Sequence, residues 1–319
     1  MNIKEFTARA AEEVLEYLPD DLRERVSVEE TEVMKVNDQI LHGLAFHRGD
    51  EPAPTFYLDD LFRLFQDGAC IGDLLRGMAE AYTESYAAAD FGTGACPGAD
   101  SGVPFPVEIP DLSYRNVIRK AGVRLLGKDF NNQFLKTVPF RDVGNGYALI
   151  ADAQIGASDG GVFSTVITNK MAEEYAYDMD VIFDRALDNA WRTNAAVFTP
   201  AEEVMSGGDW PEGEASCWVL TTNRPRCGAT ALFYPGTQKM IADVLDEDYF
   251  AIPSSLHEFI IVRAGVVGDP AHLCRLVRGA NRTIVCPEDL LSDNLLYYSK
   301  STGALSLVLP EEDDADFAG

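Results

Sequence analysis

Residues 136–153, KTVPFRDVGNGYALIADA, hold two stretches of strand-like polarity around Asn145-Gly146. Asn-Gly suits a tight two-residue turn because both central residues adopt positive φ, so the chain is predicted to fold back antiparallel there. "GASDGG" and "VFSTVIT" extend that hairpin into a three-stranded meander. The same period of two recurs in "QILHGLAFH", where Ile40, His42, Leu44 and Phe46 share one face; "RVSVEETEVMKV" is its expected partner, turned at Asn37-Asp38. Between such runs lie stripes of helical spacing. Ile3, Phe6, Ala10, Val14, Tyr17 and Leu18 form the first, and Ile71, Leu74, Leu75, Met78 and Tyr82 another. In "MDVIFDRALDNAW" the inward set is Val181, Ile182, Ala186, Leu187, Ala190 and Trp191. Helices interleaved with antiparallel strands predict an α+β fold of two lobes, with mainly antiparallel sheets and flanking amphipathic helices.

The expected division is an N-terminal α+β lobe over 1–90, including a short helix in "YLDDLFRLF". A Gly/Pro-rich linker or loop follows over 91–110, then a C-terminal α+β lobe over 111–309 and an acidic tail over 310–319. In the second lobe "LSYRNVIRKAGVRLLG" predicts a helix ending at Gly127, and Asn169 is placed to cap another. Strands are expected in "CWVLTTN", "ATALFY", "YFAIP" and "FIIV", with helices in "GTQKMIADVL", opened by Pro235, and "PAHLCRLVRGAN". "NLLYYSKSTGALSLVL" closes the lobe as a hairpin.

Charge narrows the partners. Lys and Arg number 26 against 52 Asp and Glu, a net charge of −26 that repels phosphates and anionic lipid. Direct nucleic-acid or membrane binding is therefore disfavoured. Residues 111–170 depart from this trend, with 8 basic against 5 acidic side chains. Arg115, Arg119, Lys120 and Arg124 in this segment are a candidate patch for an anionic partner, although pairing with the acidic flanks explains them more simply. The six cysteines show no C-x-x-C pair, and the first residues lack a signal-peptide layout. The expectation is a cytoplasmic protein with reduced thiols, no cofactor and no metal.

No catalytic residue is assigned, and each candidate meets an objection. "GASDG" fits G-x-S-x-G at Ser158, but a nucleophile elbow needs a helix after the serine and a strand is predicted instead. Cys227 sits beside Arg224 and Arg226, which would lower its thiol pKa, yet an inert buried thiol is the commoner case. His42 and His47 leave opposite faces of one strand, His42 being expected as a satisfied core histidine; Asp59-Asp60 suit the first turn of a helix. "IPSSLHEFIIV" gathers Ser254, Ser255, His257 and Glu258. Alternation places His257, Phe259 and Ile261 on one face and Glu258 on the other, with Ser254-Ser255 forming a turn before the strand.

"NRPRCGATALFYPG", "YFAIPSSLHEFIIV" and "PEDLLSDNLLYYSKSTGAL" resemble the bacterial domain of unknown function 5688, an uncharacterised family seen mainly in gut anaerobes. "PTFYLDDLF" and "VITNKMAEEYAYD" fit the same pattern, so the resemblance covers most of the chain, with residues 91–110 longer than usual. It implies an association with mobile genetic elements and assigns no functional residue. The leading expectation is an interaction or accessory protein with an unknown protein partner, acting through a surface between or on its lobes. The alternatives are a hydrolase using His257 with Ser254 or Ser255, and an acidic DNA mimic of the anti-restriction kind.

Overall fold

The computed structural model describes residues 1–49, 55–90, 94–95, 104–105, 112–158, 161–204, 217–224 and 226–308. Most of 91–110 and the tail 310–319 lie outside them. The chain is α+β and divides into two compact units. The first holds Met1–Lys35, Gln39–Asp111 and Ile155–Phe163, and the second holds Val36–Asp38, Leu112–Gln154 and Ser164–Gly319.

The first unit contains α1 (Ile3–Glu13), α2 (Asp20–Arg23), β1 (Ser27–Met34), β2 (Ile40–His47), β3 (Thr55–Tyr57), α3 (Asp59–Gln66) and α4 (Ile71–Asp90). The two-residue strands β4 (Gly94–Ala95) and β5 (Pro104–Phe105) pair with each other. A capping box opens α1: the Glu5 amide donates to Asn2 Oδ1 at 2.9 Å and the Asn2 amide to Glu5 Oε2 at 3.0 Å. Phe6, Ala10 and Val14 then face the core at four-residue spacing. β1, β2 and β3 form an antiparallel sheet in that order. Leu44 and Phe46 of β2 are buried with Leu75, Met78 and Tyr82 of α4, and Phe46 stacks on Tyr82 with centroids 4.6 Å apart. Gly43 allows β3 its close approach, since a Cβ there would stand 2.8 Å from the Phe56 carbonyl oxygen.

The second unit begins with α5 (Tyr114–Lys120), β6 (Gly122–Gly127), β7 (Phe140–Gly144) and β8 (Tyr147–Ser158) up to Gln154, and resumes at Ser164 within β9 (Gly161–Val166). β8 lies between β6 and β7 and also pairs with β9, and the tight turn at Asn145 and Gly146 has positive φ at both residues. Next come α6 (Asn169–Glu174), α7 (Met179–Thr193), β10 (Ala196–Pro200), α8 (Ala201–Val204) and β11 (Cys217–Thr222). The remaining elements are α9 (Thr237–Leu245), β12 (Tyr249–Ser255), β13 (Glu258–Arg263), α10 (Pro270–Thr283), β14 (Leu296–Ser299) and β15 (Ala304–Leu307). They build a six-stranded antiparallel sheet in the order β10-β11-β13-β12-β14-β15. Its core includes Leu220, Tyr249, Phe259 and Ile261, joined by Tyr147, Leu149, Ile182 and Phe183. Pro253 is tolerated within β12 because β14 pairs only with Tyr249–Ala251, leaving no ladder bond on that side for Pro253 to break.

Several local expectations are corrected. The helix predicted through Gly127 stops at Lys120, where Ala121 turns extended (φ −58°, ψ 134°) and the chain becomes β6. "ATALFY" is a 3-10 helix over Gly228–Phe233 and not a strand, because Cys227 takes a left-handed conformation (φ 60°) that turns the backbone out of an extended path. On α7, Val181 and Trp191 are exposed and Phe183 takes an inward place. Thr168, one residue before Asn169, caps α6 by accepting from the Met171 amide.

Candidate functional site

Strands β12 and β13 form a hairpin with Leu256 and His257 at its tip, so His257 precedes the strand and Ser254 and Ser255 close β12 instead of forming a separate turn. Phe259 and Ile261 are fully buried on the face expected for them. The tip is fastened from three directions. Thr221 Oγ1 donates to the His257 carbonyl at 2.8 Å, the Ala229 amide donates to the Leu256 carbonyl at 3.2 Å, and the Leu256 amide donates to the Asp289 carbonyl at 2.8 Å.

The imidazole is fastened as well. The Cys227 amide donates to Nδ1 at 3.1 Å, and Nε2 lies 3.1 Å from Asp289 Oδ1. A backbone N–H can only donate, so Nδ1 is the bare nitrogen and Nε2 carries the proton given to Asp289. With both nitrogens engaged, the ring has no lone pair left to take a proton from a nucleophile. The serines serve other partners. Ser255 Oγ accepts from the His257 amide at 3.1 Å, and Ser254 Oγ donates to Glu258 Oε1 at 3.1 Å. Replacing His257 with alanine is expected to cost about 1–3 kcal/mol through the unpaired Cys227 amide and Asp289. His257→Asn, which restores an acceptor near Nδ1, should recover part of it; chemical denaturation followed by tryptophan fluorescence reads both. An unchanged unfolding midpoint for His257→Ala contradicts this structural role.

The remaining candidates are dispersed. Burial pushes the Cys227 thiol up, and the Arg124 and Arg226 guanidinium groups only partly oppose it. The adjacent Tyr234 hydroxyl is pushed up to about 12, chiefly by burial. Ser158 ends β8, and the next described element is strand β9, so the helix of a nucleophile elbow is absent. Asp159 and Gly160 lie outside the described residues. In the proposed basic patch, Arg115, Arg119 and Lys120 are exposed on α5. Arg124 instead lies on β6 and makes a two-pronged pair with Asp152, Nε to Oδ2 at 2.6 Å and Nη2 to Oδ1 at 2.5 Å. Among the described residues no three His, Cys, Asp or Glu side chains are grouped to hold a metal ion.

A different site takes shape in the first unit. β1 pairs with β2 over eight consecutive residues, Ser27↔His47 to Met34↔Ile40, without a bulge. Its other edge pairs with no strand among the described residues. Glu29, Glu30 and Glu32 are exposed along it. Beside them a cavity of about 270 Å³ is lined by Lys4, Thr7, Glu30, Thr31, Glu32 and His42. Lys4 Nζ meets Glu32 Oε1 at 3.0 Å. Asp59 does more than open α3: Oδ2 accepts from the His42 amide at 2.9 Å, and Oδ1 lies 3.3 Å from His42 Nδ1. His42 Nε2 lies 3.8 Å from Glu32 Oε1. The alternation of "RVSVEETEV" marks the strand, but no sequence signal shows that its outer edge stays unpaired.

The antiparallel sheets and the intervening helices define an α+β protein. The chain belongs to the family of unknown function DUF5688, which it matches over residues 3–300. No curated protein and no solved structure matches it.

Proposed function

We propose that the chain is an interaction or accessory protein that acts through a binding surface. The observation that carries this reading is the regular edge of β1, which pairs with no strand among the described residues. Native proteins shorten, bend or cover such edges, because unpaired N–H and C=O groups recruit another strand. Here eight residues pair with β2 without a bulge, and Ser27, Glu29, Glu30 and Glu32 are exposed. The bonding of both His257 nitrogens argues against the hydrolase alternative. Lys4–Glu32, Arg9–Glu13, Arg63–Asp60, Arg76–Asp73 and Lys239–Asp243 intersperse cations among the carboxylates, which argues against DNA mimicry.

A cytoplasmic setting accords with free thiols at Cys70, Cys227 and Cys286. No helix among the described residues is long and apolar enough to cross a membrane. The test places a photoreactive benzoylphenylalanine at Thr31 on the edge, or at Leu276 on α10 as a control, and irradiates cells producing the full chain. The reading expects a discrete cross-linked species from position 31 and none from 276. Its absence from position 31 contradicts the reading.

A further inference from the structure

Building on that reading, we propose that the β1 edge takes an extended basic segment of a partner protein as an added strand, with one lysine or arginine seated in the neighbouring cavity. The backbone of an unpaired strand offers alternating donors and acceptors to any extended chain, so the side chains set the choice of partner. On β1 those side chains are Glu29, Glu30 and Glu32, at positions where cross-strand neighbours meet directly. Opposite charges there attract and like charges repel. The same carboxylates therefore admit a basic strand and bar an acidic one, a second copy of this edge included. The surroundings reinforce the preference, since residues 1–90 hold 20 acidic and 8 basic side chains.

The cavity accounts for the seated cation. Glu30 and Glu32 stand opposite Leu44 and His42 in the ladder, which puts both carboxylates on the same sheet face as the imidazole. Glu30 and Glu32 are acceptors, matching the donors of an ammonium or guanidinium group. Lys4 already shows this preference by pairing with Glu32, and its side chain is 73% exposed, so an incoming cation can displace it. No segment outside the described residues can supply the strand, because residues 50–54, 91–93, 96–103, 106–111, 159–160, 205–216, 225 and 309–319 contain no Lys or Arg.

Three fluorescein-labelled peptides titrated into the full chain test the proposal by anisotropy: an alternating Lys/Val peptide, its Glu/Val counterpart, and a Lys/Val peptide of equal charge with two valines replaced by proline. The first should bind, the second should not, and the third should bind at least tenfold more weakly because proline removes ladder donors. Glu29→Gln, Glu30→Gln and Glu32→Gln together should weaken the first peptide at least tenfold. Asp20→Asn, Asp21→Asn and Glu24→Gln, an equal charge loss on or beside α2, should weaken it much less, with circular dichroism showing both variants folded. Equal binding of the proline peptide, or equal losses in the two variants, would reduce the effect to general acidity and overturn the proposal. The segment cross-linked from position 31, identified by mass spectrometry, separates the two levels. An acidic segment or a second copy of this chain sinks the basic-strand proposal and leaves the interaction reading standing, whereas the absence of any adduct sinks both.

Discussion

Replacing Asp152 with alanine is expected to destabilise the second unit by about 3 kcal/mol, the low end of the range for breaking a buried ion pair. Asp152 is only 7% exposed, and both its oxygens are bonded to Arg124. Without the carboxylate a guanidinium stays largely enclosed with no counter-charge, and its partial exposure (27%) is what keeps the cost at the low end. Asp152→Asn keeps one acceptor and should cost less. Arg124→Met combined with Asp152→Leu removes both charges and should lie close to the parent protein, because two desolvation penalties disappear along with the attraction. All three tryptophans, Trp191, Trp210 and Trp218, belong to the second unit, so their fluorescence during denaturation reports this unit directly. A single alanine variant as stable as the double replacement would show that the unpaired Arg124 guanidinium carries no such penalty.

Gly228→Ala is expected to be about as damaging, near 3 kcal/mol from overpacking and one lost hydrogen bond. A Cβ at Gly228 would stand 2.2 Å from Thr221 Oγ1, 2.5 Å from the His257 carbonyl oxygen and 2.9 Å from the Thr222 amide nitrogen. Two of these are backbone atoms and cannot swing aside. The third belongs to the hydroxyl that holds the His257 carbonyl. The methyl group must therefore push the hairpin tip away from β11 and loosen the Cys227–His257 contact along with it. Gly236→Ala makes a useful contrast: its backbone is left-handed (φ +81°) but nothing lies within 4 Å of the added carbon, so only conformational strain of about 1 kcal/mol is expected. Equal midpoints for the two variants would mean that close approach at Gly228 is not what the glycine serves.

Much of the fold is legible from periodicity. The β1–β2 and β7–β8 hairpins follow from alternation and turn chemistry, and α1 and α4 follow from their apolar stripes. The misreadings share a cause. Residues 117–125 carry apolar side chains at spacings that also suit a helix, and only the backbone switch at Ala121 ends it. Residues 228–232 are buried and mostly apolar, and such a run does not distinguish a strand from a packed 3-10 turn. Val181 and Trp191 show the limit of a helical stripe, since a long helix extends beyond the body that covers it. The site was less legible still. His257 lies 32 positions from Asp289 and 30 from Cys227, so its bonding depends on how the six-stranded sheet assembles. An unpaired edge is likewise a property of the whole sheet, which no local pattern around β1 encodes.

That the His257 imidazole is a structural fastening and not a base can be tested at a single ring. A long-range proton–nitrogen correlation spectrum of the full chain, labelled at histidine, reports which imidazole nitrogen of His257 bears the proton. The bonding pattern predicts a neutral ring protonated at Nε2 with Nδ1 bare, and loss of that signature in Asp289→Ala. A ring protonated at Nδ1, with Nε2 open to solvent, would contradict the account and restore His257 as a candidate base.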